Sequence, residues 1–571
     1  MAFFRLSSLK EAFSKIPSFS KTGRYSLAFL NMTQFFGVIN DNVFKFVMAF
    51  LLIDTLGPSK ASSILSATGA IYVIPFLFFS SSAGILADRF SKQKLLVVMK
   101  AAEIIVMILA ILAFGSKSVW GCYTLLFFLA THSAMFGPSK YGIIPELVPA
   151  ESVSKANGLI TSFTYLAIII GTFLASFLTE VTDRRFTLIA IFCLFIAISG
   201  FVSAFGVKQT PAQGSHKKMN FLFVREIYQT LKYCKTLHHL LPAIFGSAYF
   251  LFIGAFTQLN IIPFAMQSLN LSEIAGGYLF LATALGIALG SFLAGKASRK
   301  RVELGLSCIA GFGISLFFIM ITLFSTSLAA VIVCLIFIGI LGGVFIVPFD
   351  TFIQLNSDVE KRGQTIAAAN FLSFGGVLVA SGCIYLFNQV FDLTSATSFS
   401  VIGAFTLLLS ITLTFCLSDL SIPFFSRKFL HALHSYDRPD TELIENSHNA
   451  IIVIEKFSWK KALLLAGSVQ NVHFLIPSDS NKWRWWFRYL YTFHQIKIGD
   501  NAHDLIAQAK GFLAHDAIPC ILLDKAVPPQ NIEMPRKFFD VFKKSSTQIL
   551  YAHLIRDPKT NRQTFVFAKN T

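Results

Sequence analysis

Charge is scarce in this chain, and acidic charge scarcest. Lys, Arg, Asp and Glu make up 14% of its 571 residues, and 30 acidic residues stand against 48 basic ones. Soluble globular domains carry roughly 25% charged residues, so that class is excluded for most of the chain. Cysteine is sparse too. The eight cysteines (Cys122, Cys193, Cys234, Cys308, Cys334, Cys383, Cys416 and Cys520) fall singly with no CxxC, which excludes a disulfide framework and predicts free thiols in a reducing compartment. There is no P-loop, which excludes ATPases of that kind. No Cys/His set has metal-ligand spacing, and the pair His238-His239 reads as interfacial. Neither a metal nor a cofactor is expected.

What the chain has is apolar length. Hydrophobic residues make up 54% and Phe occurs 63 times. Runs of about twenty apolar residues recur twelve times, at about 26–54, 62–84, 96–115, 119–137, 157–178, 186–206, 239–265, 275–295, 303–324, 328–348, 365–388 and 396–417. Each can cross a bilayer as a helix. The formal charge of +18 is no nucleic-acid footprint, because the basic residues fall in alternate loops. Arg89, Lys92 and Lys94, then Lys140 and Lys155, then Lys208 to Lys235, then Lys296 to Arg301, then Lys361 and Arg362 share one side. By the positive-inside rule that side and both termini are cytoplasmic. Residues 1–25 are basic and lightly amphipathic, a retained segment lying on the membrane surface.

Asp41 stands near the middle of the first run, in Phe36-Gly37-Val38-Ile39-Asn40-Asp41-Asn42-Val43-Phe44-Lys45. A charge at mid-membrane depth costs at least ~2.5 kcal/mol on insertion scales, so it must face protein or a water-filled cavity. Lys45, one helical turn on, is its expected partner. The pair is either a lock within the helix or part of a substrate or coupling site. Asn40 and Asn42 are equally suited to helix-packing hydrogen bonds and to substrate contact.

The polar stretch 207–238 divides the spans into six (26–206) and six (239–418). The halves echo each other. Gly84-Ile85-Leu86-Ala87-Asp88-Arg89-Phe90-Ser91-Lys92-Gln93-Lys94 aligns with Ser291-Phe292-Leu293-Ala294-Gly295-Lys296-Ala297-Ser298-Arg299-Lys300-Arg301, with Asp88 replaced by Gly295. After the fourth span of each half, Pro138-Ser139-Lys140 mirrors Pro348-Phe349-Asp350. Two related six-helix halves describe a transporter with its site between them at mid-depth. Residues 419–445 form a basic linker. Residues 446–571 read as a small soluble α/β domain, with strand-like runs at Ala450–Ile454, Pro519–Leu523 and Gln548–Leu554.

The string Gly84…Asp88-Arg89…Lys92…Lys94 resembles the loop signature of the major facilitator superfamily. Physically, the glycine permits close helix approach, Asp88 can cap a neighbouring helix N-terminus, and the cations can meet carboxylates or lipid phosphates. Within that superfamily the chain resembles the bacterial lysophospholipid transporters over roughly 26–415. The resemblance rests on Phe36–Asn42, on Phe136-Gly137-Pro138-Ser139-Lys140-Tyr141-Gly142-Ile143-Ile144-Pro145-Glu146-Leu147 and on Lys155-Ala156-Asn157-Gly158. It implies an all-α membrane protein of twelve helices in a 6+6 arrangement. It also implies movement of lysophospholipids, chiefly lysophosphatidylethanolamine, from the outer to the inner leaflet of the bacterial cytoplasmic membrane for re-acylation. A zwitterionic head group needs a cation for phosphate and an anion for ammonium. Lys140 and Asp41 can supply them, with Asn40, Asn42, Lys45, Tyr141 and Asp350 as further candidates.

The tail resembles glycerolipid 1-acyltransferases at Ala450–Leu465 and Pro519–Val527. Those enzymes need a His as general base and an Asp five positions on. Here the positions hold Lys456 and Lys461, and the phosphate-binding block has become Asp524-Lys525-Ala526-Val527. The reading is therefore a degenerate, non-catalytic domain and no enzyme. The expected partners are the lysophospholipid and the bilayer, with a separate acyltransferase or acyl ligase as a candidate and no nucleic acid. Competing readings are a carrier for another amphipathic solute, a membrane-anchored acyltransferase, and a tail that recruits an acylating enzyme. The cluster Trp483, Trp485 and Trp486 with Lys482, Arg484 and Arg488 suits either domain packing or inner-leaflet docking.

Overall fold

The computed structural model describes residues 25–57, 61–214, 223–271, 273–297 and 302–425, and in the tail 450–455, 459–469, 472–477, 493–496, 509–511, 513, 518–523, 548–556 and 563–569. The expectations for residues 1–24, for Lys456, for Trp483 to Arg488 and for Asp524 to Val527 lie outside the described residues. The chain divides into two compact units, residues Met1–Val302 with Ile309–Leu409, and Glu303–Cys308 with Ser410–Thr571.

Long apolar stretches form helices because hydrocarbon offers backbone groups no other partner. The first six are α1 (Ser26–Leu56), α2 (Ala61–Arg89), α3 (Lys92–Gly115), α4 (Val119–Leu147), α5 (Ala150–Val181) and α6 (Phe186–Phe205). A short helix, α7 (Phe223–Cys234), leads to the second six: α8 (Leu240–Ser268), α9 (Glu273–Ala297), α10 (Leu304–Leu323), α11 (Leu328–Asn356), α12 (Arg362–Tyr385) and α13 (Ser395–Cys416). Among the described residues, twelve helices are long and apolar enough to cross a membrane, all of these but α7. The basic loops and α7 fall at one end of the bundle, called here the basic end.

Several helices run past the apolar stretches that announced them. Pro138 and Pro145 lie inside α4, and Pro348 lies inside α11. Lys140 and Asp350 are therefore helical residues of the spans, where the sequence placed them after the spans. Proline breaks helices in water at a cost of about 3 kcal/mol. In a membrane bundle, neighbouring helices and side chains satisfy the freed carbonyls, and the helix continues.

The first half packs around Val43, Phe44, Val47 and Met48 of α1, all fully buried, against Met107 of α3 and Leu126 of α4. In the second half, Phe399 is the hub. Phe264, Phe318 and Phe256 surround it at centroid distances of 5.5, 5.8 and 6.0 Å. Edge-to-face and offset stacking of this kind contributes about 0.5–1.5 kcal/mol per pair beyond area burial.

In the tail, a further short helix, α14 (Ser418–Phe425), covers the start of the expected linker. Strands β1 (Ala450–Glu455), β2 (Val472–Pro477), β3 (Phe493–Ile496), β4 (Ile518–Leu523), β5 (Gln548–Arg556) and β6 (Gln563–Lys569) form one sheet in the order β3-β2-β4-β1-β5-β6. All neighbours are parallel except β5 and β6. The three runs read as strands from sequence fall on β1, β4 and β5. Helix α15 (Trp459–Ser468) follows β1, and its Leu464 and Leu465 pack with Ile452, Ile454 and Phe474 of the sheet.

Candidate functional site

Asp41 lies on α1 and is 8% exposed. Its Oδ2 accepts a hydrogen bond from Ser133 Oγ of α4 at 2.7 Å. Among the described residues its Oδ1 has no hydrogen-bond partner, which leaves one acceptor of a mid-helix carboxylate uncommitted. Lys45, the expected partner, stands in the electrostatic field of Asp41 without reaching ion-pair distance. Lys45 Nζ sits instead 4.9 Å from the Phe46 ring centroid and 5.5 Å from that of Tyr72. Spacing of four residues brings the two stems onto one face, but the long lysine chain reaches aromatic faces that also stabilise a cation. The neighbouring amides are committed elsewhere. Asn42 Nδ2 donates to Val38 O at 2.8 Å, and Asn40 Nδ2 donates to Glu103 Oε1 at 2.7 Å.

Glu103 belongs to a cluster that sequence reasoning passed over. Lys100 Nζ meets Glu103 Oε2 at 2.5 Å, with both side chains essentially unexposed. His132 Nε2 of α4 lies 3.6 Å from the same oxygen. Lys100 also lies 5.3 Å from the Phe136 ring centroid. Helices α1, α3 and α4 thus meet through Asn40, Glu103, Lys100 and His132, directly beside Asp41 and Ser133. The signal was present: Lys100 and Glu103 stand inside the third apolar run, where the argument that singled out Asp41 applies equally. A buried pair of this kind is costly to break, about 3–5 kcal/mol when one partner is removed, because the other charge is left uncompensated.

Lys140 and Asp350 belong to opposite halves. Lys140 is half-buried on α4, its Nζ 4.2 Å from the Tyr141 ring centroid, and it lies in the electrostatic field of both Asp350 and Asp41. Asp350 on α11 accepts from Ser247 Oγ of α8 at 2.9 Å. Tyr141 and Tyr165 stand in the field of Asp350. Tyr165 of α5 meets Phe250 of α8 edge to face at 6.4 Å. Tyr165 is a further residue that the sequence did not mark. Lys140 therefore stands in the field of two carboxylates, one from each half, with phenols and Phe rings nearby.

The loop motif sits at the basic end and closes it. Asp88, fully buried at the end of α2, accepts from the backbone N–H groups of Gly363 (2.6 Å) and Gln364 (3.0 Å), and from Gln364 Nε2 (3.1 Å). It so caps the first turn of α12, where free N–H groups and the helix dipole favour an anion. Gly84 makes this crossing possible: a Cβ there would come within 2.7 Å of Gly363 O and of Ala367 Cβ. The sister crossing is α5 on α9, where a Cβ at Gly158 would meet Ser291 O at 2.5 Å and Gly295 Cα at 2.8 Å. Nearby, Asn157 of α5 donates to Thr351 Oγ1 and Gln354 Oε1 of α11, both at 3.1 Å, and accepts from Gln354 Nε2 at 3.0 Å. Lys92, fully buried, binds Glu146 Oε1 at 2.6 Å within the first half. Lys94 is buried, Arg89 half-buried and Lys155 exposed.

Among the described residues no group of His, Cys, Asp and Glu is placed to hold a metal ion. What the interior offers is non-covalent: opposed charges and hydroxyls between two helical halves, shut at one end by matched glycine crossings. That is the architecture of an alternating-access carrier.

Comparison with known proteins agrees. Crystal structures similar to this chain include the human organic anion transporter MFSD10 (TM-score 0.57, 12% identity, covering 68% of this chain and 100% of that one). The E. coli fucose:proton symporter FucP is similar as well (TM-score 0.55, 11% identity, 69% and 99% covered). In sequence, the chain is 25% identical over 397 residues to the lysophospholipid transporter LplT of Cronobacter sakazakii, covering 68% of this chain and 94% of the relative. The LplT of Serratia proteamaculans is 23% identical over 349 residues, covering 60% and 81%. The Major Facilitator Superfamily profile matches residues 30–381, and the chain belongs to that superfamily.

Proposed function

We propose that this carrier moves lysophospholipids, chiefly lysophosphatidylethanolamine, from the outer to the inner leaflet of a bacterial cytoplasmic membrane, where a separate acyltransferase or acyl ligase re-acylates them. The observation that carries the reading is the set of opposed charges at mid-bundle: Asp41 with an uncommitted oxygen, Lys140, and Asp350 facing it from the other half. A head-group ammonium takes the free acceptor of Asp41, and the phosphate pairs with Lys140. The Phe-rich helices of both halves accommodate the acyl chain. The named relatives support the lysophospholipid class.

The basic end is the cytoplasmic one under the positive-inside rule, and both termini lie on that side. With that orientation the end tied by Asp88 faces the cytoplasm, and passage requires Asp88 to release α12 while α5 and α9 part. The tail takes no part in acyl transfer on this reading. Lys461, aligned with the orienting Asp of the acyltransferases, lies on α15 and offers no carboxylate to accept the N–H of a histidine base.

The test is uptake of labelled lysophosphatidylethanolamine into spheroplasts or inverted vesicles, with and without the protein and with the Asp41→Asn variant. Protein-dependent uptake lost in Asp41→Asn supports the reading. Uptake identical with and without the protein overturns it.

A further inference from the structure

The connection between the halves carries a surface of its own. Helix α7 leaves the bundle at the basic end between two spans, where the chain passes through the head-group zone, and it has two unlike faces. Its inner face (Glu226, Ile227, Thr230 and Cys234) is buried and packs on α12 and α2. Three contacts tie the C-terminal turn of α7 to the start of α12 and the turn that leads into it. Cys234 Sγ lies 4.0 Å from Thr365 Oγ1, Tyr233 Oη donates to the Asp358 carboxylate, and Lys361 Nζ stacks 3.9 Å from the Tyr233 ring centroid. They land on the turn whose Gly363 and Gln364 N–H groups are held by Asp88.

The outer face is different. Val224 is 60% and Tyr228 66% exposed, and Arg225, Lys232 and Lys235 are exposed beside them. At about 100° per residue these five positions share one side of the helix. Lys235 continues the turn, its N–H donating to Leu231 O at 3.0 Å. An exposed aromatic ring and a valine ringed by three cations suit the boundary between head groups and acyl chains. There the ring sits at head-group level and the cations pair with phosphodiesters. A surface turned to bulk water gains nothing from the two apolar side chains.

We propose that α7 is a membrane-surface sensor. Its outer face binds the anionic phospholipid head groups of the adjoining leaflet, and its inner face thereby holds α12 in the closed position. Anionic lipid then biases the carrier toward closure of the basic end. This holds whatever solute the carrier moves. Each cation near an anionic surface adds attraction enough for a roughly fivefold change in partition, so three suffice for a large bias even if only part of the contact depends on conformation.

The full chain in nanodiscs, with spin labels at the basic ends of α2 and α12, reads the closed fraction directly and without substrate. Replacing part of a phosphatidylcholine bilayer with phosphatidylglycerol should raise the closed-to-open ratio roughly fivefold in the unsubstituted protein. Arg225→Gln/Lys232→Gln/Lys235→Gln should remove most of that rise while leaving the thermal melt in phosphatidylcholine unchanged, since all three side chains are exposed. High salt should remove the rise in the unsubstituted protein, which keeps the test decisive if the triple variant misfolds. The proposal is overturned by a closed fraction indifferent to phosphatidylglycerol, by an equal response in a folded triple variant, or by a response that salt does not weaken.

Discussion

Away from the helix ends, the spans of the first half carry Asp41, Lys45, Lys100, Glu103, His132 and Lys140, whereas those of the second half carry Asp350 alone. The second half has apolar contacts in their place, with Phe399 meeting Phe256, Phe264 and Phe318, and Phe345 meeting Phe349 at 5.1 Å, although it is no richer in Phe than the first. Yet the two halves cross each other in the same manner. Gly84 of α2 fits against α12 and Gly158 of α5 fits against α9, crossings that exchange when the halves are exchanged. Backbone-to-backbone approach tolerates only small residues, so both copies keep them. Interior side chains away from the crossings are under no such constraint, and there the copies have diverged. Even the closure has diverged. Asp88 caps α12 on one side, and on the other its counterpart is Gly295, with Asn157 bridging to Thr351 and Gln354 instead.

If the first half's charges include a structural lock, removing it should show first in stability. Glu103→Leu leaves Lys100 buried without its counter-charge and should cost about 3–5 kcal/mol. Thermal melting in detergent should show a sharply lowered midpoint or no folded protein. Asp350→Asn keeps its hydrogen bond from Ser247 and should change stability by less than about 1 kcal/mol. A Glu103→Leu protein as stable as the parent would erase the contrast between the halves.

Asp41→Asn should still fold, with a modest loss of stability because Lys45 loses a nearby counter-charge, while reducing transport at least about tenfold, the loss of one charge-assisted contact. Asp41→Asn/Lys45→Met should transport no better than the single variant. A double variant with full transport would make the pair structural and remove Asp41 from the site.

A smaller effect is expected at Lys140. Lys140→Ala should weaken handling of phosphate-bearing lysolipids several-fold in an uptake competition assay, against no change for the exposed Lys208→Ala. Equal, small changes would show Lys140 to be one more surface charge. The smallest effect concerns the tail. Full-length protein supplied with acyl-CoA or acyl-carrier donors should form no diacyl lipid, since the position of the general base holds Lys456 and no histidine. Acyl transfer abolished by Lys456→Ala would make the chain bifunctional.

Reading the sequence alone recovered the twelve spans, their division into six and six, and the superfamily. It put Pro138 and Pro348 at span ends, because proline is a helix breaker everywhere except inside a packed membrane bundle. It marked Asp41 and Lys140 and missed Glu103, Lys100, His132 and Tyr165. Lys100 and Glu103 carried the same intramembrane-charge signal as Asp41, but their meeting with Asn40 and His132 depends on how α1, α3 and α4 pack, which the sequence does not show.

What the sequence by itself determined is therefore additive and local. Crossing a bilayer depends on the summed transfer free energy of about twenty neighbouring residues, and that sum is legible without a partner. Which charge meets which is a different kind of quantity. Asp88 finds its donors 275 residues away at Gly363, and Asn40 finds Glu103 63 residues away, because packed helices leave each buried polar atom only the partners that happen to line its crossing. Those choices were made by the tertiary structure, since a buried charge is stabilised only by groups within a few ångströms and chain order does not fix that distance.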